Sequence, residues 1–292
     1  AAALQGRAAA LDAAAGRSAD PRLPSIAEGP QSPEEPHVLA AQPGLFALWK
    51  PAGWAVSVLD SEEGAKVRGA SEEGAWVGKP LQDWLVERLD APCPIARDRS
   101  MSQGFIHRLD RDTSGALLWA STYGSFYAAR LQLRARRMQK EYAALCWGRV
   151  PSAPFSCRAP LLRVEPVPGY PRSVASPHGR AAHTDVVAVA RLRSPDGREL
   201  SLVRVRLHTG RLHQIRAHLG GEGFPLARDE LYGRGGSSWC PRIFLHARSL
   251  RIDVGEGALD VACPLPEDLA EALLTLGAAD PRSRRLLEQR AG

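Results

Sequence analysis

The segment His107-Arg108-Leu109-Asp110-Arg111-Asp112-Thr113-Ser114-Gly115 crowds an imidazole, two guanidiniums and two carboxylates together and ends in two hydroxyls and a glycine. Such a mixture suits nucleophilic or acid–base work by one carboxylate, because neighbouring cations hold an acid in its charged form. It equally suits plain turn chemistry, with Asp110 or Asp112 capping a turn that Thr113, Ser114 and Gly115 complete. The setting bears on the choice. The apolar run Ala116-Leu117-Leu118-Trp119-Ala120 follows directly and reads as a strand covered on both faces. A carboxylate on the turn into a buried strand is held rigidly, as catalytic groups tend to be.

Other chemistries find less support. His208, His213 and His218 fall five residues apart, which on a helix separates them by about 140°, so they do not converge on a metal. No G-x-S-x-G elbow accompanies a Ser-His-Asp set, although such a triad stays open. No second acid has an equally framed setting for glycoside hydrolysis. Walker and dinucleotide glycine patterns are missing from the chain. The five cysteines are scattered without a C-x-x-C pair, which argues against a disulfide framework or a zinc ribbon and fits a reducing compartment.

The elements that must carry these residues follow from periodicity. Ser121-Thr122 caps a helix whose Phe126, Ala129 and Leu133 share one face. Arg130, Arg134, Arg136, Arg137 and Lys140 lie on a basic face that either tracks a phosphate backbone or is simply a solvated helix end. Tyr142 to Gly148 reads as a strand with Tyr142, Ala144 and Cys146 on one side. Val203, Val205 and Leu207 alternate with Arg204, Arg206 and His208, a half-buried strand ended by Thr209-Gly210. Leu212, Ile215 and Leu219 form a helical stripe that Gly220-Gly221 stops. Strands and helices mix without a βαβ rhythm, so the expected class is α+β, with a mixed, mainly antiparallel sheet flanked by helices.

The whole chain sets bounds. Its 292 residues suffice for a full core, and 44% hydrophobic with 24% charged residues is an ordinary globular balance. No apolar run reaches the roughly 18 residues of a membrane span. The net charge of +6 is compatible with a polyanionic partner or with arginine used for solubility. The Pro-, Ser- and Glu-rich stretch from Asp20 to Pro43 reads as a linker, so residues 1–43 are expected to be an extension, 44–275 a catalytic domain and 276–292 a tail. No initiator methionine opens the chain, and the Ala/Arg-rich segment from Ala1 to Arg17 reads either as the remnant of an organelle transit peptide or as a short helix or frayed extension. Ser61-Glu62-Glu63-Gly64-Ala65 recurs as Ser71-Glu72-Glu73-Gly74-Ala75, an echo expected in a slipped loop insertion.

The nine-residue motif resembles the active-site motif of RluA-type RNA pseudouridine synthases. Four further segments agree in order: Trp49-Lys50-Pro51-Ala52-Gly53, Lys140-Glu141-Tyr142 through Gly148, Thr209-Gly210-Arg211-Leu212-His213-Gln214-Ile215-Arg216-Ala217-His218-Leu219, and Leu245-His246-Ala247. The resemblance covers about Leu45 to Leu269. It implies a pseudouridine synthase fold and the isomerisation of uridine in structured ribosomal or transfer RNA, with no cofactor, metal or membrane, by a monomer. It further implies that Asp110 is the catalytic carboxylate and that Arg216 keeps it ionised. Tyr142 would stack on the target base and assist proton removal. Arg108 would fill the space left by the flipped nucleotide, His107 would orient the turn, and Arg211 and His213 would contact phosphate or satisfy turn carbonyls. An inactive RNA-binding relative and a nucleosidase or glycosidase are the rival readings. The chain departs from the family pattern at Arg228-Asp229, where Gly-Asp is usual, which leaves the local backbone open, and at Leu212, which replaces a small hydroxyl residue. Within this chain no S4-type RNA-binding module precedes Leu45, so the family's common accessory domain is expected either to be absent or to lie outside it. The compartment stays open between the cytoplasm and an organelle such as a plastid or mitochondrion.

Overall fold

A computed structural model of the chain describes Ile26 and residues 32–56, 80–151, 154–168, 170–233, 236–255 and 257–288. The Ala1 to Arg17 segment and the echo at 61–65 and 71–75 lie outside the described residues. The chain forms two compact units, one of residues 1–138 with 249–263 and one of residues 139–248 with 264–292. Both are built from antiparallel strands with a few short helices, the expected α+β class.

In the first unit β1 (His37–Gln42), β2 (Leu45–Lys50) and β3 (Ser114–Ala120) form an antiparallel array in chain order. Every residue of β2 and β3 is buried, which explains why both read as unbroken apolar runs instead of alternating ones. β1 falls within the stretch expected to be linker, and folding starts before Leu45. None of its residues is fully buried and Ala41 is exposed, so its composition resembles a linker, but its backbone pairs with β2 from His37↔Trp49 to Gln42↔Leu45. Helix α1 (Leu81–Glu87) buries Leu81, Trp84 and Leu85. Helix α2 (Tyr123–Arg134) starts at the predicted cap, where the Thr122 hydroxyl accepts the Ser125 N–H at 3.0 Å, and buries Tyr123, Phe126 and Ala129. The helix ends at Arg134, Arg136 turns at φ 59°, and the expected basic stripe is therefore shorter than its five cations. Lys140 departs from it altogether: it lies in the next strand and is buried.

In the second unit β4 (Gln139–Trp147), β9 (Glu199–Leu207), β8 (Thr184–Arg193) and β12 (Gly277–Ala278) neighbour one another in that order, and β5 (Phe155–Cys157) pairs with β8. β6 (Leu161–Val164) and β7 (Arg172–Ala175) make a separate ribbon. Helix α3 (Gln214–Gly221) buries Ile215 and Leu219 as expected, while Leu212 precedes it and is half-buried. Helix α4 (Glu267–Leu274) packs Leu269 and Ala272 into a core with Leu145, Leu192, Leu200, Leu202 and Phe244. Helix α5 (Pro281–Glu288) falls in the expected tail. Strand β10 (Leu245–Asp253) passes from the second unit into the first, where Ser249–Asp253 pairs with β11 (Ala258–Ala262).

Candidate active site

The loop 107–113 is set by the backbone on both of its sides. Ser102 and Gln103 take left-handed conformations at φ 50° and 52°, followed by Gly104 at φ 84°. A Cβ on Gly104 would stand 2.4 Å from the Ala120 carbonyl oxygen and 2.6 Å from the Trp119 Nε1, so only glycine fits this close approach. The reversal delivers Phe105 and Ile106 to β3: Phe105 bridges Trp119, and the Ile106 N–H donates to the Leu118 carbonyl at 3.1 Å. The buried Trp119 Nε1–H donates to the Gln103 carbonyl at 2.8 Å, fastening the reversal to the strand.

Lys50 clamps the far side of the loop. It is fully buried, and its ammonium donates to the carbonyls of Pro51, Trp54 and Arg111, each at 2.8 Å. Three carbonyls satisfy all three protons, which is the condition for burying such a charge. The Gly53 N–H adds a 3.0 Å bond to the same Arg111 carbonyl. The Trp49-Lys50-Pro51-Ala52-Gly53 motif thus acts as a brace for the loop that carries Asp110. Within the loop the Thr113 N–H donates to the Asp110 carbonyl at 3.1 Å.

The side chains of the loop separate by exposure. Leu109 is buried, Asp110 is half-buried, and Arg108 is exposed. Asp112 receives both Nε and Nη2 of Arg111 at 2.8 Å in an exposed fork, a pair of small stabilising value that orders the loop surface. His107 accepts the Leu118 N–H on Nε2 at 3.2 Å, so this nitrogen holds the loop against β3. Arg130 also reaches this region, its Nη1 donating to the Ile106 carbonyl at 3.2 Å. Burial, followed by the neighbouring Arg134 charge, lowers its pKa.

The other sequence-derived candidates belong to the second unit. Tyr142 is buried in β4 opposite Val205 of β9. Next to it, Glu141 receives Arg206 at 2.8 Å and has Arg248 at 3.7 Å and Arg204 at 3.8 Å. Lys140 is buried, and desolvation pulls its ammonium pKa down to about 8. A Cβ on Gly210 would meet the Lys140 Nζ at 3.9 Å, which sets this amine beside the Thr209-Gly210 turn.

That turn is wired by Gln214, which is buried at the start of α3. Its Oε1 accepts from the Thr209 hydroxyl at 2.7 Å and the Arg211 N–H at 3.0 Å, and its Nε2 donates to the His183 carbonyl at 3.0 Å and to Thr184 Oγ1 at 2.8 Å. Thr184 in turn meets His218 Nδ1 at 2.9 Å, and His218 Nε2 meets the Ala159 carbonyl at 2.9 Å. The chain of bonds closes when Thr184 donates to Nδ1 and Nε2–H donates to the carbonyl. Neutral imidazole suits this role, and burial lowers the His218 pKa. Arg211 donates from Nε to the Ala181 carbonyl at 3.0 Å. His213, left-handed at φ 49°, faces the Tyr232 hydroxyl through Nδ1 at 3.3 Å.

Arg216 makes a planar fork on Asp229, Nε to Oδ2 and Nη2 to Oδ1, both at 2.9 Å. The Asp229 side chain has no exposed surface, and its Oδ1 also accepts the N–H groups of Leu231 and Tyr232 at 3.1 Å. The guanidinium carbon lies 5.3 Å from the Tyr232 ring centre, and the Tyr232 hydroxyl is fixed by both Ser173 backbone groups. Arg228, where the family glycine is usual, adopts φ 60°: the chain keeps the glycine-like turn and forces a side chain into it. Reading the sequence for reactive groups missed Lys50, which braces the loop of Asp110 in the first unit, and Gln214, His218 and Asp229, which fix the Thr209-Gly210 turn, helix α3 and Arg216 in the second. All but Asp229 stand inside the quoted motifs.

Residues 45–220 match the model of the RNA pseudouridylate synthase family. The chain is 33% identical over 228 residues to ribosomal large subunit pseudouridine synthase C of Yersinia pestis, covering 75% of this chain and 66% of that protein. It is 33% identical over 232 residues to the protein of the same name from Escherichia coli strain K12, covering 76% and 67%. An uncharacterised RNA pseudouridine synthase of Chloroflexus aurantiacus is 38% identical over 196 residues, with coverages of 66% and 60%. The chain belongs to the RNA pseudouridylate synthase family and spans about two thirds of the length of these relatives. The solved structure of human RNA pseudouridylate synthase domain containing 1 superposes with a TM-score of 0.58 at 21% identity, covering 91% of this chain and 98% of that one, and shares the fold.

Proposed function

We propose that this protein is an RNA pseudouridine synthase that isomerises uridines in structured RNA, ribosomal RNA first among the candidates, with residues 44–275 as its catalytic domain acting as a monomer. One observation carries the reading: Asp110, half-buried, sits on a loop braced by the Lys50 ammonium on one side and by the bonds of Ile106 and His107 to β3 on the other. A carboxylate so held needs no reorganisation to meet a bound nucleotide. The names of the relatives in Yersinia and Escherichia, which specify the large ribosomal subunit, support the choice of RNA.

In this reaction the N1–C1′ bond of the uridine breaks and a C5–C1′ bond forms, while the C5 proton leaves and N1 gains one, so no redox partner enters. Asp110 attacks or otherwise activates C1′ while the base turns. Tyr142 stacks on the base and assists proton removal from C5, and Arg216 keeps the carboxylate charged against the desolvation that a covering base imposes. Arg108, exposed at the loop surface, occupies the gap that the everted nucleotide leaves and offsets part of the few kcal/mol of unstacking. His107 positions the loop. Arg211 and His213 meet phosphate.

Transcripts carrying tritium at uridine C5 test the assignment. A synthase releases tritium and leaves the base attached, a nucleosidase frees labelled uracil, and a binding protein does neither. Free uracil, or retention of all label on ribosomal RNA and transfer RNA alike, refutes the proposal.

A further inference from the structure

We propose that His183, Asp185 and His208 form a zinc site that joins the start of β8 to the end of β9. Spacing along the sequence excluded a helical site made of His208, His213 and His218. The sheet assembles a different set, in which His208 is joined by two residues from the neighbouring strand. Thr184 pairs with Leu207 and Asp185 with Arg206, and the His208 N–H donates to the His183 carbonyl at 3.2 Å. This register lays the two imidazoles side by side, with ring centres 4.1 Å apart and planes inclined by 17°. Asp185 is two residues beyond His183 and so projects from the same face.

One ligand atom from each of the three residues lies within 4.8 Å of the other two. Both imidazoles turn Nε2 to the same carboxylate, His183 to Oδ1 at 2.8 Å and His208 to Oδ2 at 2.7 Å. In a tetrahedral zinc site with bonds of about 2.0–2.1 Å, the ligand atoms stand roughly 3.3 Å apart. The nitrogen-to-oxygen separations are already shorter than that, so modest side-chain rotation admits an ion in place of two protons. The side chains retain 17%, 23% and 27% exposure, which leaves the fourth position open to water. Two imidazoles and one carboxylate favour zinc over the hard cations magnesium and calcium.

Support behind the ligands is present as well. Ser156 donates its hydroxyl to Asp185 Oδ1 at 2.6 Å, orienting the carboxylate. The cross-strand neighbour Arg206 directs its guanidinium to Glu141 at 2.8 Å. The cysteines of the chain are all buried, and desolvation raises the pKa of Cys157 and Cys240 to about 11 and of Cys263 to about 12, which disfavours the thiolates that would compete for the ion. An ion here would tie down the strand end that leads into Thr209, Arg211 and His213, and the inference stands on this geometry whether or not the proposed RNA chemistry holds.

Calorimetric titration of the chelator-stripped protein with zinc, paired with the visible spectrum on titration with cobalt, tests the site. Expected are one equivalent bound and a cobalt spectrum of low coordination number. His208→Ala and Asp185→Asn should each lose at least about tenfold in zinc affinity, and Ser156→Ala a smaller but measurable part. His178→Ala, a change at an exposed histidine outside the cluster, should leave binding intact. Circular dichroism verifies that each variant is folded. Absence of zinc binding by the wild-type protein, or equal affinity in His208→Ala, Asp185→Asn and wild type, overturns the proposal.

Discussion

Replacing Asp229 with Asn isolates the charge that aims Arg216. Asparagine keeps an oxygen for the Leu231 and Tyr232 N–H groups, both of which use Oδ1. Its amide nitrogen, however, then faces one arm of the Arg216 fork, donor against donor. Arg216 is only 13% exposed and the Asp229 side chain not at all, so water replaces little of what is lost. Breaking one side of such a buried pair costs about 3–5 kcal/mol. Arg216→Met should cost a similar amount, because it strands a buried anion with two N–H donors. The double variant is neutral at the site, and its cost should fall short of the sum of the single costs by about 2–3 kcal/mol. Urea unfolding followed by tryptophan fluorescence reads all four proteins. Tritium release on the same proteins should show Asp229→Asn slowed while it still binds RNA, because the guanidinium is present but no longer aimed. Single costs below about 1 kcal/mol, or additive costs, would show that the fork contributes little and refute the reasoning.

Other outcomes follow from the same structure. Lys140 titrates at about 8 in the fold against about 10.4 unfolded, so between those values the unfolded chain holds the extra proton and stability should rise with pH by about 3 kcal/mol from this group. Lys140→Met should remove that rise; the cysteines, whose raised pKa values act in the opposite sense, cancel in the difference between the two curves, and parallel curves would refute the buried amine. Arg228→Gly relieves a left-handed side chain and should stabilise the protein by about 0.5–1 kcal/mol after the entropy of the added glycine; a loss of stability in urea unfolding would contradict it. If about three phosphates are neutralised, RNA affinity should fall roughly twentyfold to fortyfold between 50 and 200 mM salt, and a flat response in filter binding would count against the electrostatic contribution.

What the sequence disclosed tracks where one physical factor dominates locally. The unbroken apolar run of β3 and the Thr122 cap of α2 appear where they were read, because burial on both faces and a single side-chain bond each leave a local signature. β1 was hidden, since half-burial and a prolyl, acidic neighbourhood imitate a linker, and only its partner β2 makes it a strand. Lys140 looked like part of a basic stripe because charge is visible in the sequence and burial is not. At the candidate site the side chains proposed to react stand in a motif, whereas their supports carry no local signal: the threefold capture of Lys50 depends on carbonyls of residues 51, 54 and 111, and the Asp229 fork on a residue thirteen positions from Arg216. The His183, Asp185 and His208 cluster was equally invisible, since strand register alone brings it together.

The most direct measurement compares wild type with Asp110→Ala for tritium released from C5-labelled ribosomal RNA, with RNA affinity recorded in parallel. The account predicts release without free uracil for the wild type, and for Asp110→Ala no release with affinity within about threefold of wild type, since a single side chain contributes little to a salt-dependent interface. Turnover that survives in Asp110→Ala would contradict it.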